Sequence, residues 1–266
     1  MSSEILQSSK GVALVTGSAR GIGRAIALRL ADDGFDVAVN DVLASRDDLE
    51  ALRTEILEKG RKSHVVPADV SVEEEVKEMV SITVAELGGL DVMVANAGVL
   101  MWAPFFDTTV EQWDRLFSIN VRGVMLCYKY AGQQMVAQGR GGRLIAASSF
   151  AGQQGLELGS AYCASKFAVR GLTQSVAAAL GKHNITVNSY APGLVDTPLF
   201  RVLVDKTTDL LAVTPELVLK QLADKAALGH IGTVADIANL VSFIASKESQ
   251  FITGQNFSSD GGLGLA

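Results

Sequence analysis

The sequence predicts an α/β fold: one doubly wound parallel sheet of about seven strands with helices on both faces. Three observations carry this. Short β-branched runs alternate with longer amphipathic stretches, the rhythm of repeated βαβ units. The runs are continuously apolar rather than alternating, as strands covered on both faces must be. No Pro/Gly/Ser-rich linker, internal repeat or low-complexity block divides the 266 residues, so the chain reads as a single domain over 1–266.

The elements follow in order. Val-Ala-Leu-Val-Thr at 12–16 precedes a helix from about Ile22, and Asp-Val-Ala-Val-Asn at 36–40 precedes another from about Arg46. His-Val-Val at 64–66 leads to a helix carrying Val72, Val76 and Val80 at i, i+4 and i+8. The strand at 90–95 leads to a long helix over about 112–138, and the strand at 143–148 to a helix over about 161–180. A sixth strand at 185–191 and a helix around 234–246 precede a last strand near 255–258. The stretch 194–230 breaks the rhythm and reads as a lid over the substrate, inserted after a strand's carboxyl end, where α/β sheets bind ligands.

Composition excludes several function classes. With 23 Lys+Arg against 29 Asp+Glu, net −6 and no basic cluster, the chain lacks the footprint for nucleic acid or anionic membrane. No apolar run reaches the ~18 residues of a spanning helix, and Met1–Lys10 lacks the pattern of a signal peptide, so a cytoplasmic protein is expected. Cys127 and Cys163 have no ligand spacing and read as small buried side chains; His64, His183 and His230 are scattered, so no metal site is expected.

The chemistry begins at Gly17-Ser18-Ala19-Arg20-Gly21-Ile22-Gly23, which joins the first strand directly to the first helix. Glycines there permit positive φ and close backbone approach, and a helix N-terminus offers free N–H groups to a pyrophosphate. The spacing is Gly-x-x-x-Gly-x-Gly rather than Gly-x-Gly-x-x-Gly, and alone it also fits a turn. Asp41, at the end of the second strand, turns the reading toward a dinucleotide, because its carboxylate can accept from a ribose 2′-OH and repels a 2′-phosphate. NAD is therefore expected over NADP, with Arg20 as the counter-indication.

Tyr162 and Lys166 lie four apart, on one helix face and about 6 Å from each other. An adjacent ammonium favours the phenolate, so the tyrosine pKa is expected to fall and the phenol to serve as acid or base toward a carbonyl/alcohol pair. Ser149, at the carboxyl end of the fifth strand, can help hold the substrate oxygen. Each of these residues alone also fits an ordinary structural role; together, in register with the glycine loop, they point to hydride transfer.

Thr16–Gly23, Asp69-Val70, Asn96-Ala97-Gly98, Ser149, Tyr162-x-x-x-Lys166 and Pro192-Gly193, in this order over residues 10–262, resemble the classical short-chain dehydrogenase/reductase family, with its Rossmann-like sheet. The resemblance implies that Asp69 and Val70 hold the adenine and that Asn96, Ala97 and Gly98 floor the cofactor site. It further implies that Pro192, Gly193, Val195 and Thr197 meet the nicotinamide end, that Lys166 binds the nicotinamide ribose, and that Asn120 holds a water linking Lys166 to solvent. Ala95 departs from the family's Asn-Asn-Ala-Gly. Within the family, residues 166–174, 185–188, 192–193 and 27–35 are most similar to the diacetyl/acetoin reductase and butanediol dehydrogenase group. Phe150 and Leu156 stand where polar substrate contacts are expected in that group, which suits a bulkier or less hydroxylated ketone. The resemblance also implies a homotetramer paired through the helices at 112–138 and 161–180, with 261–266 meeting a neighbour. A 3-oxoacyl-carrier-protein reductase, a polyol or aryl-ketone reductase and a non-catalytic dinucleotide sensor are the alternatives. The sensor would have no reason to keep Asn120, Ser149, Tyr162 and Lys166 together.

Overall fold

The computed structural model describes residues 9–265. Residues 1–8, on which most of the signal-peptide reading rested, and Ala266 lie outside the described residues. Among the described residues a seven-stranded parallel sheet runs β3-β2-β1-β4-β5-β6-β7. The strands are β1 (Val12–Val15), β2 (Asp36–Val39), β3 (Ser63–Val65), β4 (Val92–Ala95), β5 (Gly142–Ala147), β6 (Ile185–Pro192) and β7 (Asn256–Ser259). The strand order reverses between β1 and β4, so the crevice beyond their carboxyl ends is the switch point where such sheets take ligands.

The two faces follow from strand alternation. Ala13 and Val15 of β1 and Val92 and Val94 of β4 point into one core, built with α1 (Gly21–Asp32), α2 (Arg46–Glu58) and α9 (Val234–Ala245). Leu14 and Met93 point into the other, built with α3 (Glu73–Leu87), α5 (Val124–Gln138) and α6 (Ser160–Leu180). Every residue of β1, β2 and β4 is buried, and apart from Asp36 at the start of β2 all are apolar, as strands covered on both faces require. Cys127 and Cys163 are buried free thiols, and Ala95 packs in the second core.

Three sequence readings are corrected. Val72 is the N-cap of α3 and 41% exposed, because the run of three glutamates behind it starts the helix one residue later than the valine spacing implies. The long helix over 112–138 is two helices, α4 (Val110–Phe117) and α5, joined by a π-helical turn at Ser118–Gly123. The stretch 194–230 contains α7 (Pro198–Leu211) and α8 (Pro215–Lys225), so the expected six helices become nine among the described residues. Thr197 and Thr214 cap these two helices, each with proline at the first helical position. No helix among the described residues is long and apolar enough to cross a membrane.

Candidate active site

A cleft of about 610 Å³ opens at the switch point and is lined from the glycine loop, the β2 and β4 ends, α6 and the start of the 194–230 stretch. Its glycine cradle is set by close approach. A methyl on Gly23 would stand 2.2 Å from the Gly17 carbonyl oxygen, and one on Gly17, whose φ is +63°, 2.8 Å from Ala97 Cα. Asn96 locks the cradle: its Nδ2 donates to the Thr16 and Gly17 carbonyls at 2.9 and 3.1 Å, and its Oδ1 accepts from the Tyr190 hydroxyl at 2.8 Å. Thr16 Oγ1 accepts in turn from the amides of Asn96 and Ala97. Tyr190 carries no motif signal; only its position on a buried strand points to it.

Arg20 is exposed at the N-cap of α1, and the first turn of that helix, with Gly21, Ile22 and Gly23, opens onto the cleft. Asp41 accepts from the amides of Val42 at 2.8 Å and Ala19 at 3.3 Å, which orients its carboxylate at the β2 end. At the far wall, burial raises the Asp69 pKa but is outweighed by hydrogen bonds from Ser71 and the charges of Arg115 and Arg122, so the carboxyl stays below its usual range. Val70 packs against the π turn, where a methyl on Gly123 would stand 2.9 Å from Val70 Cγ2. The cradle, the helix N-terminus and a carboxylate beside them fit a dinucleotide.

Toward the other end, β5 delivers Ser149 and α6 delivers Tyr162 and Lys166 into the same cleft. Ser149 is extended, and its Oγ accepts from the Ala151 amide at 3.1 Å. Lys166 is 3% exposed; its Nζ donates to the Ala147 carbonyl at 2.9 Å and lies 5.6 Å from the centroid of the Tyr162 ring. The expected fall of the Tyr162 pKa is overturned in the polypeptide alone. Burial pushes the phenol up to about 12, with Ser149 opposing, while the same desolvation pushes Lys166 down to about 8. The ammonium is turned to the Ala147 carbonyl, and desolvation of the phenol outweighs its charge.

Asn120 sits in the π turn, fully buried. Its side chain grips the Val99 backbone in both directions at 2.9 Å and donates to Ser165 Oγ at 3.2 Å, and Ser165 donates to the Tyr162 carbonyl at 2.7 Å. Gly98 leaves room for this meeting: a methyl there would stand 3.3 Å from Asn120 Oδ1 and 3.5 Å from Lys166 Nζ. A π turn re-aims side chains within an otherwise α-helical run, and such turns recur at functional sites. Beyond Pro192 and Gly193, the Gly193 amide donates to the Ser259 carbonyl, Val195 is buried, and the Thr197 hydroxyl is engaged by Phe200 N and Val195 O. Phe150 and Leu156 line the cleft, joined by Trp102, which the sequence reading missed because it stands in an irregular segment without periodicity. Among the described residues no group of three or more His, Cys, Asp or Glu side chains gathers to hold a metal.

The family model described as enoyl-(acyl carrier protein) reductase matches residues 17–264. A short-chain dehydrogenase/reductase of Armillaria gallica is 54% identical over 253 residues, 95% of each chain. A diacetyl reductase [(S)-acetoin forming] of Staphylococcus epidermidis is 38% identical, covering 94% of this chain and 97% of its own. A 3-oxoacyl-[acyl-carrier-protein] reductase from that organism is also 38% identical, covering 94% and 98%. The crystal structure of acetoin dehydrogenase YohF from Salmonella typhimurium superposes with a TM-score of 0.84 at 32% identity, covering 96% of this chain and 98% of that one. With matches of this length and a sheet of this order, the chain belongs to the short-chain dehydrogenase/reductase family and is an oxidoreductase.

Proposed function

We propose that the protein moves a hydride between NAD(H) and a neutral ketone or secondary alcohol, diacetyl and acetoin being the first candidates by similarity. The observation that carries this reading is the arrival of Ser149, Tyr162 and Lys166 in the cleft that also holds the glycine cradle and Asp41. The dinucleotide, when bound, supplies or accepts the hydride. Tyr162 gives its proton to the carbonyl oxygen as the carbonyl carbon is reduced, or takes the alcohol proton in the reverse direction. A phenol held protonated by burial is the correct form for reduction. Ser149 holds the substrate oxygen, and Lys166 and Asn120 order the floor beneath it.

Asp41 supports NAD over NADP, since its oriented carboxylate suits a ribose 2′-OH. Consumption of NADH and NADPH with a panel of ketones tests the reading. A higher kcat/KM with NADPH would overturn the cofactor preference, and no turnover with either would favour the sensor. The chain matches the carrier-protein reductase and the diacetyl reductase of Staphylococcus equally well, at 38% identity, but the two arginines at the cleft, Arg20 and Arg115, are balanced by Asp41 and Asp69 rather than gathered into a basic docking patch. The α5/α6 face carries a hollow of about 490 Å³ whose lining includes the exposed Met125 and Val136, which supports pairing with a second copy and a homotetramer. Light scattering at one chain's mass would overturn it.

A further inference from the structure

The charged side chains lining the cleft are Arg20, Asp41, Asp69, Arg115 and Lys166; Arg20 and Asp41 flank the glycine loop, Arg115 pairs with Asp69, and Lys166 is turned to the Ala147 carbonyl. Past Tyr162 the wall is made of Leu100, Trp102, Phe150, Leu156, Val202 and Leu203, from three sequence-distant segments. Apart from the Ser149 and Tyr162 hydroxyls, these walls offer no side-chain hydrogen-bonding group except an indole N–H that is already engaged: Trp102 Nε1 donates to Thr207 Oγ1 of α7 at 3.1 Å.

The indole is fixed on its other sides too. The Ala103 amide donates to the Leu158 carbonyl at 2.9 Å, and a methyl on Gly159 would stand 2.9 Å from Trp102 Cζ3. Gly159 is the N-cap of α6, three residues before Tyr162, so the ring is set against the element that places the phenol. A polyol, a carboxylate or a phosphopantetheine arm would find no partner on this wall, and burying its polar groups unpaired is costly. A four-carbon hydroxyketone meets only the Ser149–Tyr162 end and leaves the apolar wall wet.

We propose that the substrate end takes a neutral ketone with a hydrocarbon body larger than four carbons, with Trp102 as the selecting wall, an inference that rests on the oxidoreductase reading and names its substrate class. The test compares kcat/KM for 2-decalone and diacetyl with NADH, alongside a fluorescence titration with 2-decalol. Of the chain's two tryptophans, Trp102 lines the cleft and Trp113 is stacked on Phe117. The expected result is a preference for decalone of about tenfold or more, and a loss of about tenfold in the decalone-to-diacetyl ratio in Trp102→Ala, carried mainly by KM. Trp102→Phe should restore part of that ratio, and it serves alone if the alanine variant does not fold. Diacetyl preferred over decalone, or a ratio unchanged by both Trp102 variants, overturns the proposal while leaving the oxidoreductase reading intact. Decalol binding without turnover of any ketone, with either dinucleotide, supports the ligand class and sinks the proposed hydride transfer to ketones instead.

Discussion

The glycine loop at 17–23 and the helix α7, against which α8 packs, both line the cleft, and they are held by different means. The loop is fixed by backbone: Gly17 and Gly23 lie where a methyl would collide with main chain, and Asn96 donates to the Thr16 and Gly17 carbonyls where the loop leaves β1. The helix behind it is sunk in a core that includes Ile26 and Leu30, both fully buried. The lid rests on a cluster with three buried apolar residues, Phe200, Val204 and Val218, plus the Trp102–Thr207 hydrogen bond. Few buried contacts imply a low free energy of local opening, so we propose that the cofactor half is rigid and that 194–230 moves as a substrate lid. This division suits a site whose cofactor is constant and whose substrate must enter and leave.

The largest effect is expected at the junction of the two halves. Tyr162→Phe should lower kcat by about 10²–10⁴-fold and leave NADH affinity within a few-fold, because it removes the proton donor and keeps the ring. Stopped turnover beside a normal NADH titration is the signature; equal loss of both would mean the substitution disturbed the fold. The pH profile has a definite sign. Reduction uses the protonated phenol, which burial keeps protonated up to about 12, so reduction should not rise with pH, whereas alcohol oxidation should climb toward alkaline pH.

Next comes the cradle. Gly23→Ala puts a methyl 2.2 Å from the Gly17 carbonyl and 2.5 Å from Asn96 Nδ2, and should cost about 3 kcal/mol or more, read as lost NADH binding or a lowered melting temperature. Gly21→Ala is the control. Its φ is +60°, but the nearest atom to a methyl would be Thr197 Cγ2 at 3.6 Å, so the cost should be only the left-handed backbone, about 1–2 kcal/mol. Equal effects at the two positions would mean that backbone conformation, not close approach, governs the loop.

How much of this was legible follows the same division. The strands and the helix sequence could be read because fully covered strands are continuously apolar, and the cofactor half could be read because close approach demands glycine at fixed positions. The lid helices were missed, though Thr197-Pro198 and Thr214-Pro215 are each a capping residue with proline behind it, a start signal used twice. The π turn at Ser118–Gly123 has no sequence mark: residues 112–138 read as one continuous helix, and only the packing of Gly123 on Val70 and the bonds of Asn120 to Val99 show the irregularity. The apolar substrate wall is assembled from three segments far apart in sequence, and Trp102 becomes part of it only when α7 comes down beside it. The Tyr162 pKa was misjudged because spacing reveals the neighbouring charge but not the depth of burial.

A smaller effect is expected at Lys166, where function and stability oppose each other. Its pKa is lowered from 10.5 to about 8 by burial, so below pH 8 the folded state carries the full cost of a desolvated ammonium. Between pH 8 and 10.5 the unfolded chain binds the proton and the folded one does not, and stability from this group rises with pH. Lys166→Met should therefore be more stable than wild type near pH 7 by about 1–2 kcal/mol after the lost bond to Ala147 is allowed for, and the gap should close as pH passes 10. Denaturation midpoints across pH 7–10.5 test this; a gap independent of pH would assign the gain to packing alone.

The smallest effect on global stability is expected in the lid, and it decides whether the two halves are as different as their cores suggest. Leu30→Ala, in the core beneath the glycine loop, should cost about 2–5 kcal/mol, the usual range for a fully buried leucine. Phe200→Ala removes a larger side chain, which elsewhere would cost as much or more. In the lid its effect on global unfolding is capped, because once α7 and α8 have detached no further loss at Phe200 can reach the sheet. We expect about 1 kcal/mol or less in the unfolding midpoint, with hydrogen exchange quickened selectively in residues 198–225. The substrate KM should rise while NADH affinity holds, since Phe200 lies on the substrate side of Thr197 and the glycine cradle does not depend on it. A midpoint shift as large as that of Leu30→Ala, with exchange quickened across β1 and β4 as well, would show that the lid folds as one unit with the sheet and that the mobility assigned to it is absent.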